Sequence, residues 1–563
     1  CTVRSMTLEQ LSDNFWLAYS EYFPTIATVR GEHSFDDQLR RFDSGWLEGM
    51  AARFRSIESA ARAVDPSNLD LQDRITRDLL VHEGGVWATE IEQEFFVAPV
   101  DPYLGPHTRL LSDSQQNTVG TGEQAEALLI RYSKAGEYLK GALERIRSCA
   151  AKGMTPPRAS LDRVIGQLDG YLASSMDTDP FLKLKLPEGA DQGHWQEQAQ
   201  DLVNRVIRPA IADFREGLIE HVGPVARPPE KSGLVWMTNG EEIYRHLIHK
   251  YTQLDKTAEE IHQIGLDWAT DILVEQWEEI GGRAFGDSSM EATFHRLHSD
   301  PSFRFQSEEE MLEQARATIT RAWNAVDDWF GARPATPCQV VAVPASIAPA
   351  MPPAYYMQPP PDGSREGTYF LNTYKPEERD KFEYESTTFH EAVPGHHFDR
   401  SLATELEGIP MFRRYAQVYA HTEGWGLYAE RLADEMGLFS SDVDRLGMLS
   451  ADAWRAGRLV VDTGLHALGW SREKAIDFLL EWTPIGRLTV EQEVDRYIGM
   501  AGQALSYKMG HIEIMRLRKE AEQRLGDRFD IKGFHDTLLT SGAMTLPLLA
   551  DTVGAWIESV AAA

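Results

Sequence analysis

Apolar residues return every three or four positions along much of this chain, and that period fits an α-helix and excludes a strand. Between Glu123 and Cys149, the residues Leu128, Tyr132, Leu139, Leu143 and Ile146 draw one stripe along a helix. The same reading predicts helices over Glu241–Ile280, with a break near Leu254 and Asp255, and over Ser307–Phe330, Arg413–Gly437 and Arg445–Gly469. Three more follow, over Ser471–Trp482, Val490–Ala504 and Ser506–Leu525. Ser307 with Glu310 three places on has the form of a capping box.

Two stretches break the pattern. Gly223–Gly233 (GPVARPPEKSG) is a Pro-rich linker and marks a lobe boundary, giving an N-terminal helical lobe over 1–230 and a catalytic lobe over 231–563 in one continuous two-lobed unit. Gly331–Gly367 is rich in proline and holds one β-like run, Gln339–Val343; Thr368–Tyr374 then reads as a second strand. A small sheet therefore precedes the helix that carries the chemistry.

Composition narrows the partners. With 563 residues the chain exceeds one small core, and its net charge of −31 argues against nucleic acid or an anionic membrane as partner. No run of about 18 apolar residues is present. The cysteines Cys1, Cys149 and Cys338 are too dispersed for a disulfide framework or a metal cluster, which suits the cytoplasm. Cys1 leaves a lipid-anchored, exported form open.

The densest chemistry is the run His390-Glu391-Ala392-Val393-Pro394-Gly395-His396-His397. In the zinc-peptidase pattern H-E-x-x-H, two histidines at i and i+4 share one helix face, and the glutamate acts as general base. Here i+4 is Pro394. On an unbroken helix His396 would point about 120° away from His390, and His397 would lie about 10.5 Å along the axis. Pro394 removes a helical hydrogen bond and Gly395 frees the backbone, so a local bulge is expected to bring one of the two histidines to the metal. His396 is preferred and His397 stays open; the other would touch substrate or support a ligand.

A third ligand is expected downstream in His421-Thr422-Glu423-Gly424-Trp425-Gly426-Leu427-Tyr428-Ala429-Glu430. Glu423 is the choice, with Gly424 and Gly426 permitting close approach; Glu430, seven residues on, reads as a surface or salt-bridging residue. Asp462 and His466 at i, i+4 suit a carboxylate holding an imidazole in one tautomer. Tyr507, with Tyr497 in reserve, is a candidate to hold an oxyanion, as is His466. Arg455, Arg458, Arg487 and Arg496 are candidates to clamp a peptide carboxylate.

The runs HEAVPGHH, EGWGLYAERLADEMG, VVDTGLHALGWSREKAIDFL and GQALSYKMG resemble the bacterial domain-of-unknown-function 885 family. The resemblance spans most of the chain and is strongest between His390 and Gly510. It implies a mainly helical, multi-helix zincin-like metallopeptidase fold with a deep cleft, and points to His390, Glu391, one of His396 and His397, and Glu423. The expected function is hydrolysis of a peptide, of oligopeptidase or carboxypeptidase type, by a water activated at one Zn2+ per chain with Glu391 as general base. A small non-peptide amide or ester is the alternative substrate, and a non-catalytic binding protein the alternative role. Thr368–Tyr374 would either pair with an extended peptide or serve as an internal strand.

Overall fold

The structure is a computed structural model and describes residues 6–286, 289–345, 348, 351–359, 366–416 and 418–563. Cys1 lies outside the described residues. Helices dominate, and among the described residues none is long and apolar enough to cross a membrane.

The elements that carry the site lie in the C-terminal half. Helix α1 (Glu308–Trp329) leads to strands β1 (Cys338–Ala342), β2 (Ala354–Met357) and β3 (Gly367–Leu371). Then come α2 (Tyr384–Glu391), α3 (His396–Thr404), α4 (Tyr419–Glu435), α5 (Asp442–His466), α6 (Arg487–Gly499) and α7 (Leu505–Leu525). At the start of α1 the Ser307 hydroxyl accepts from Glu310 N–H at 3.2 Å, but the Glu310 carboxylate reaches Gln306 N–H rather than closing the box on Ser307.

The sheet has the order β1-β3-β2, with β1 parallel and β2 antiparallel to β3. Both edges of β3 are thus occupied. Of the two readings of Thr368–Tyr374, the internal strand is therefore the one observed, over Gly367–Leu371, with its backbone groups spent inside the sheet.

Tertiary contacts cut some predicted helices. Glu123–Cys149 is two helices, Gly122–Ser133 and Ala135–Ala151. They part where Arg131 reaches the Phe35 carbonyl at 2.9 Å and Lys134 reaches that of Asp37 at 2.7 Å. The predicted break after Glu241 is present: Gly240–Thr252 ends at Gln253, whose φ of 56° is left-handed.

The apolar cores do not divide at residue 230. One cluster joins Leu11–Val97 to residues between Ala269 and Ile557, because the first helices pack directly on the C-terminal half. A second lies within Leu39–Val222, nearly all of it from Ala98 onward. Helix α4 runs through the first cluster and is buried from Ala420 to Ala433 apart from Glu423 and Arg431. It crosses α7 at two glycines: a Cβ on Gly510 would lie 1.8 Å from the Ala420 carbonyl oxygen, and one on Gly424 would lie 2.5 Å from the Gly510 backbone. A helix buried on nearly every face is central, and this crossing fixes the axial position of Glu423.

Candidate metal centre

The His-Glu run is built from two helices rather than one bulged helix. Helix α2 ends at Glu391; Ala392 (φ −111°, ψ −105°) and Gly395 (φ −80°, ψ −125°) leave helical geometry, the Val393–Pro394 peptide is cis, and α3 begins at His396. The chain turns so tightly that a Cβ on Gly395 would meet the carbonyl oxygens of His390 at 2.0 Å and Phe389 at 2.4 Å. Trp425 on α4 ties the turn down by donating its indole N–H to the Pro394 carbonyl at 2.9 Å. The expected bulge is thereby corrected: with its amide lost at Pro394 the helix stops, and a new axis brings the second histidine round.

His390, His396 and Glu423 converge, with one ligand atom from each lying within 4.8 Å of the others. Glu423 Oε2 is 3.5 Å from His390 Nε2 and 3.3 Å from His396 Nε2. Gly426 clears the space, since a Cβ there would touch the His390 ring at 2.7 Å. His397 turns away: its Nδ1 meets the Tyr356 hydroxyl at 2.9 Å, and its ring packs edge-on to Trp323.

Glu430 is the residue that sequence reasoning undervalued. It is buried, its Oε1 lies 2.8 Å from His390 Nδ1, Ser386 donates to its other oxygen, and Arg455 stands 3.7 Å away. The signal was its spacing, two helical turns from Glu423. Burial would lower the His390 pKa, but its hydrogen bonds to the Glu423 and Glu430 carboxylates reverse this and lift it to about 9. For Glu423, burial pushes up, and His396 and His390 outweigh it and hold the carboxyl well below its usual range. Glu391, last residue of α2, is half-buried beside this cluster.

Tyr507 on α7 is half-buried, its ring stacked 6.4 Å from that of His390. Tyr497, the reserve, is instead enclosed: its hydroxyl takes N–H from Arg458 (2.8 Å) and Trp454 (2.9 Å) and donates to Glu493 (2.8 Å). The Asp462–His466 pair is not formed. Asp462 accepts from the Tyr244 hydroxyl at 2.6 Å and Gly502 N–H at 3.0 Å. His466 accepts from Leu234 N–H and donates to the Tyr497 carbonyl. Both ring nitrogens are committed to main chain, so His466 braces the fold and has none left for an oxyanion. Arg487 is exposed and pairs with Glu473 and Glu491. Arg455 lies behind Glu430, while Arg458 and Arg496 share Glu493.

The crystal structure of the "putative lipoprotein" from Colwellia psychrerythraea shares the fold at a TM-score of 0.88 with 26% identity, over 98% of this chain and 99% of that one. A "putative lipoprotein of unknown function" from Shewanella oneidensis aligns at a TM-score of 0.77 and 18% identity, over 97% and 99%. Metallocarboxypeptidase 1 from Trypanosoma cruzi aligns at only 0.36 and 12%, over 97% and 96%, too weakly to bear on fold or function. No curated protein matches the chain. A family model described as bacterial protein of unknown function (DUF885) matches residues 24–553, and the chain belongs to that family.

Proposed function

We propose that this chain is a zinc-dependent hydrolase with a zincin-like site in a cleft, acting on peptides. The observation that carries this reading is the convergence of two imidazole nitrogens and one carboxylate oxygen, with the far nitrogen of His390 on buried Glu430. Three N/O ligands, one of them braced by a carboxylate, fit a catalytic zinc. His390, His396 and Glu423 would hold the ion, one per chain, and when bound it supplies Lewis acidity and a water of lowered pKa.

The chain's own groups do the rest. Glu391 takes a proton from the attacking water and passes it to the leaving amine. Tyr507, on the His390 side of α7, donates its hydroxyl to the carbonyl oxygen as charge gathers there. Glu430 keeps His390 in one tautomer and orientation. A non-peptide amide or ester would be served by the same groups, and a substrate panel separates the two. The names of the two similar structures favour an exported, lipid-anchored form over the cytoplasmic one, and fractionation of the native host checks this.

Elemental analysis tests the metal. One zinc per wild-type chain, lost in Glu423→Ala, is expected; no stoichiometric metal after zinc is added back would overturn the reading. Glu391→Gln should keep its zinc and lose turnover by about 10²–10⁴-fold. Full activity in that variant would remove Glu391 from the mechanism.

A further inference from the structure

Beside the metal ligands lies a group of charges that does not balance. Arg458, buried on α5, gives Nε to the Tyr497 hydroxyl and Nη2 to Glu493 at 3.2 Å, while its enclosed Nη1 has no partner. Arg496 on α6 pairs with the same Glu493 at 2.9 Å and donates to Gln503 Oε1 at 2.8 Å. Two guanidiniums therefore share one carboxylate. Asp462 does not make up the difference: Tyr244 and Gly502 occupy its oxygens, and burial pushes its pKa up to about 7. A buried charge in excess is costly unless something pairs with it.

The excess faces the reaction site through Tyr507. The Arg458 guanidinium lies over the Tyr507 ring at 4.5 Å, and that ring is 6.4 Å from His390. Arg496 stays partly open to solvent, 17% exposed, so an incoming anion can reach it.

We propose that Arg496, backed by Arg458 and flanked by Gln503 and Tyr507, docks the terminal carboxylate of the substrate, so that the site trims peptides from the C-terminus. This rests on the hydrolase reading for its chemistry, though the docking itself does not need turnover. Guanidinium matches carboxylate in shape and charge, and the unpaired positive charge attracts it.

The test offers an equimolar tetrapeptide library, half free acids and half C-terminal amides, to zinc-loaded Glu391→Gln protein, and counts retained peptides by mass spectrometry. Acids should be retained about ten- to hundred-fold better than amides. The preference should vanish in Glu391→Gln/Arg496→Gln and survive in part in Glu391→Gln/Arg496→Lys. Equal retention of acids and amides, retention of neither, or a preference that outlives Arg496→Gln overturns the proposal. Zinc measured on the same samples separates the two ideas. Full zinc without acid preference removes the carboxylate subsite alone, whereas acid preference without zinc keeps the subsite and removes the hydrolase.

Discussion

At the scale of single residues, the site depends on missing side chains as much as on those present. Gly426 leaves room for the His390 imidazole, and Gly395 lets the chain fold back onto the end of α2. Gly426→Ala should push the His390 ring off its position and weaken zinc binding ten-fold or more, read by chelator competition, while the protein stays folded. Glu430→Gln keeps the shape but loses the charge on His390 Nδ1, and a 10–100-fold loss of metal affinity is expected. Wild-type affinity in Glu430→Gln would demote that carboxylate to packing. That His390 and Glu423 converge could be read from the sequence, because their residue types and order mark them as a ligand pair. The choice between His396 and His397 could not, because it turns on the direction α3 takes after Gly395. Glu430 and the Asp462–His466 pair misled in opposite directions, since i,i+4 and i,i+7 spacing fixes a face but not its neighbour.

At the scale of elements, the crossing of α4 and α7 sets the frame. The contact at Gly510 and Ala420 has no slack, so Gly510→Ala should destabilise the fold by about 1–3 kcal/mol or more, measured by urea unfolding. An unchanged midpoint would mean that the helices can shift apart freely. Helices were legible where an apolar stripe runs unbroken, as in α1, α5 and α7. Their breaks were not: the helices Gly122–Ser133 and Ala135–Ala151 part at Lys134, whose side chain reaches the Asp37 carbonyl, a tertiary contact that no stripe records. Strands β1 and β3 were also legible, but neither β2, inside the Pro-rich stretch, nor the central place of β3, because pairing order is not written in alternation. The same limit hid the packing of Leu11–Val97 on the C-terminal half.

At the scale of the whole molecule, buried neutral histidines make stability depend on acid. Burial lowers His82 and His535 to about 3 and His466 to about 4. The unfolded chain takes up these protons near pH 6.5, well before the folded one. Their contribution is therefore full above pH 6.5 and drains as pH falls towards the folded values. Glu83 and Asp462 oppose this, because burial lifts both to about 7 and their contribution fades as pH rises from about 4 to 7. His535, held between the Tyr428 hydroxyl and the Trp329 carbonyl, isolates the effect. The stability gap between wild type and His535→Gln should narrow by about 1.4 kcal/mol for each pH unit from about 5.5 down to 4, in urea titrations. A constant gap would show that His535 charges as easily folded as unfolded. The three converging ligands have a broader consequence. His390 and His396 sit six residues apart and Glu423 follows 33 residues after the first, so an unfolded chain offers an ion no assembled cage. Occupancy and folding are then tied by mass action: free zinc at a hundred times its dissociation constant would add about 2.7 kcal/mol to the folded state. On the zinc reading proposed above, starving a cell of that ion would thin the population of this protein as well as silence it.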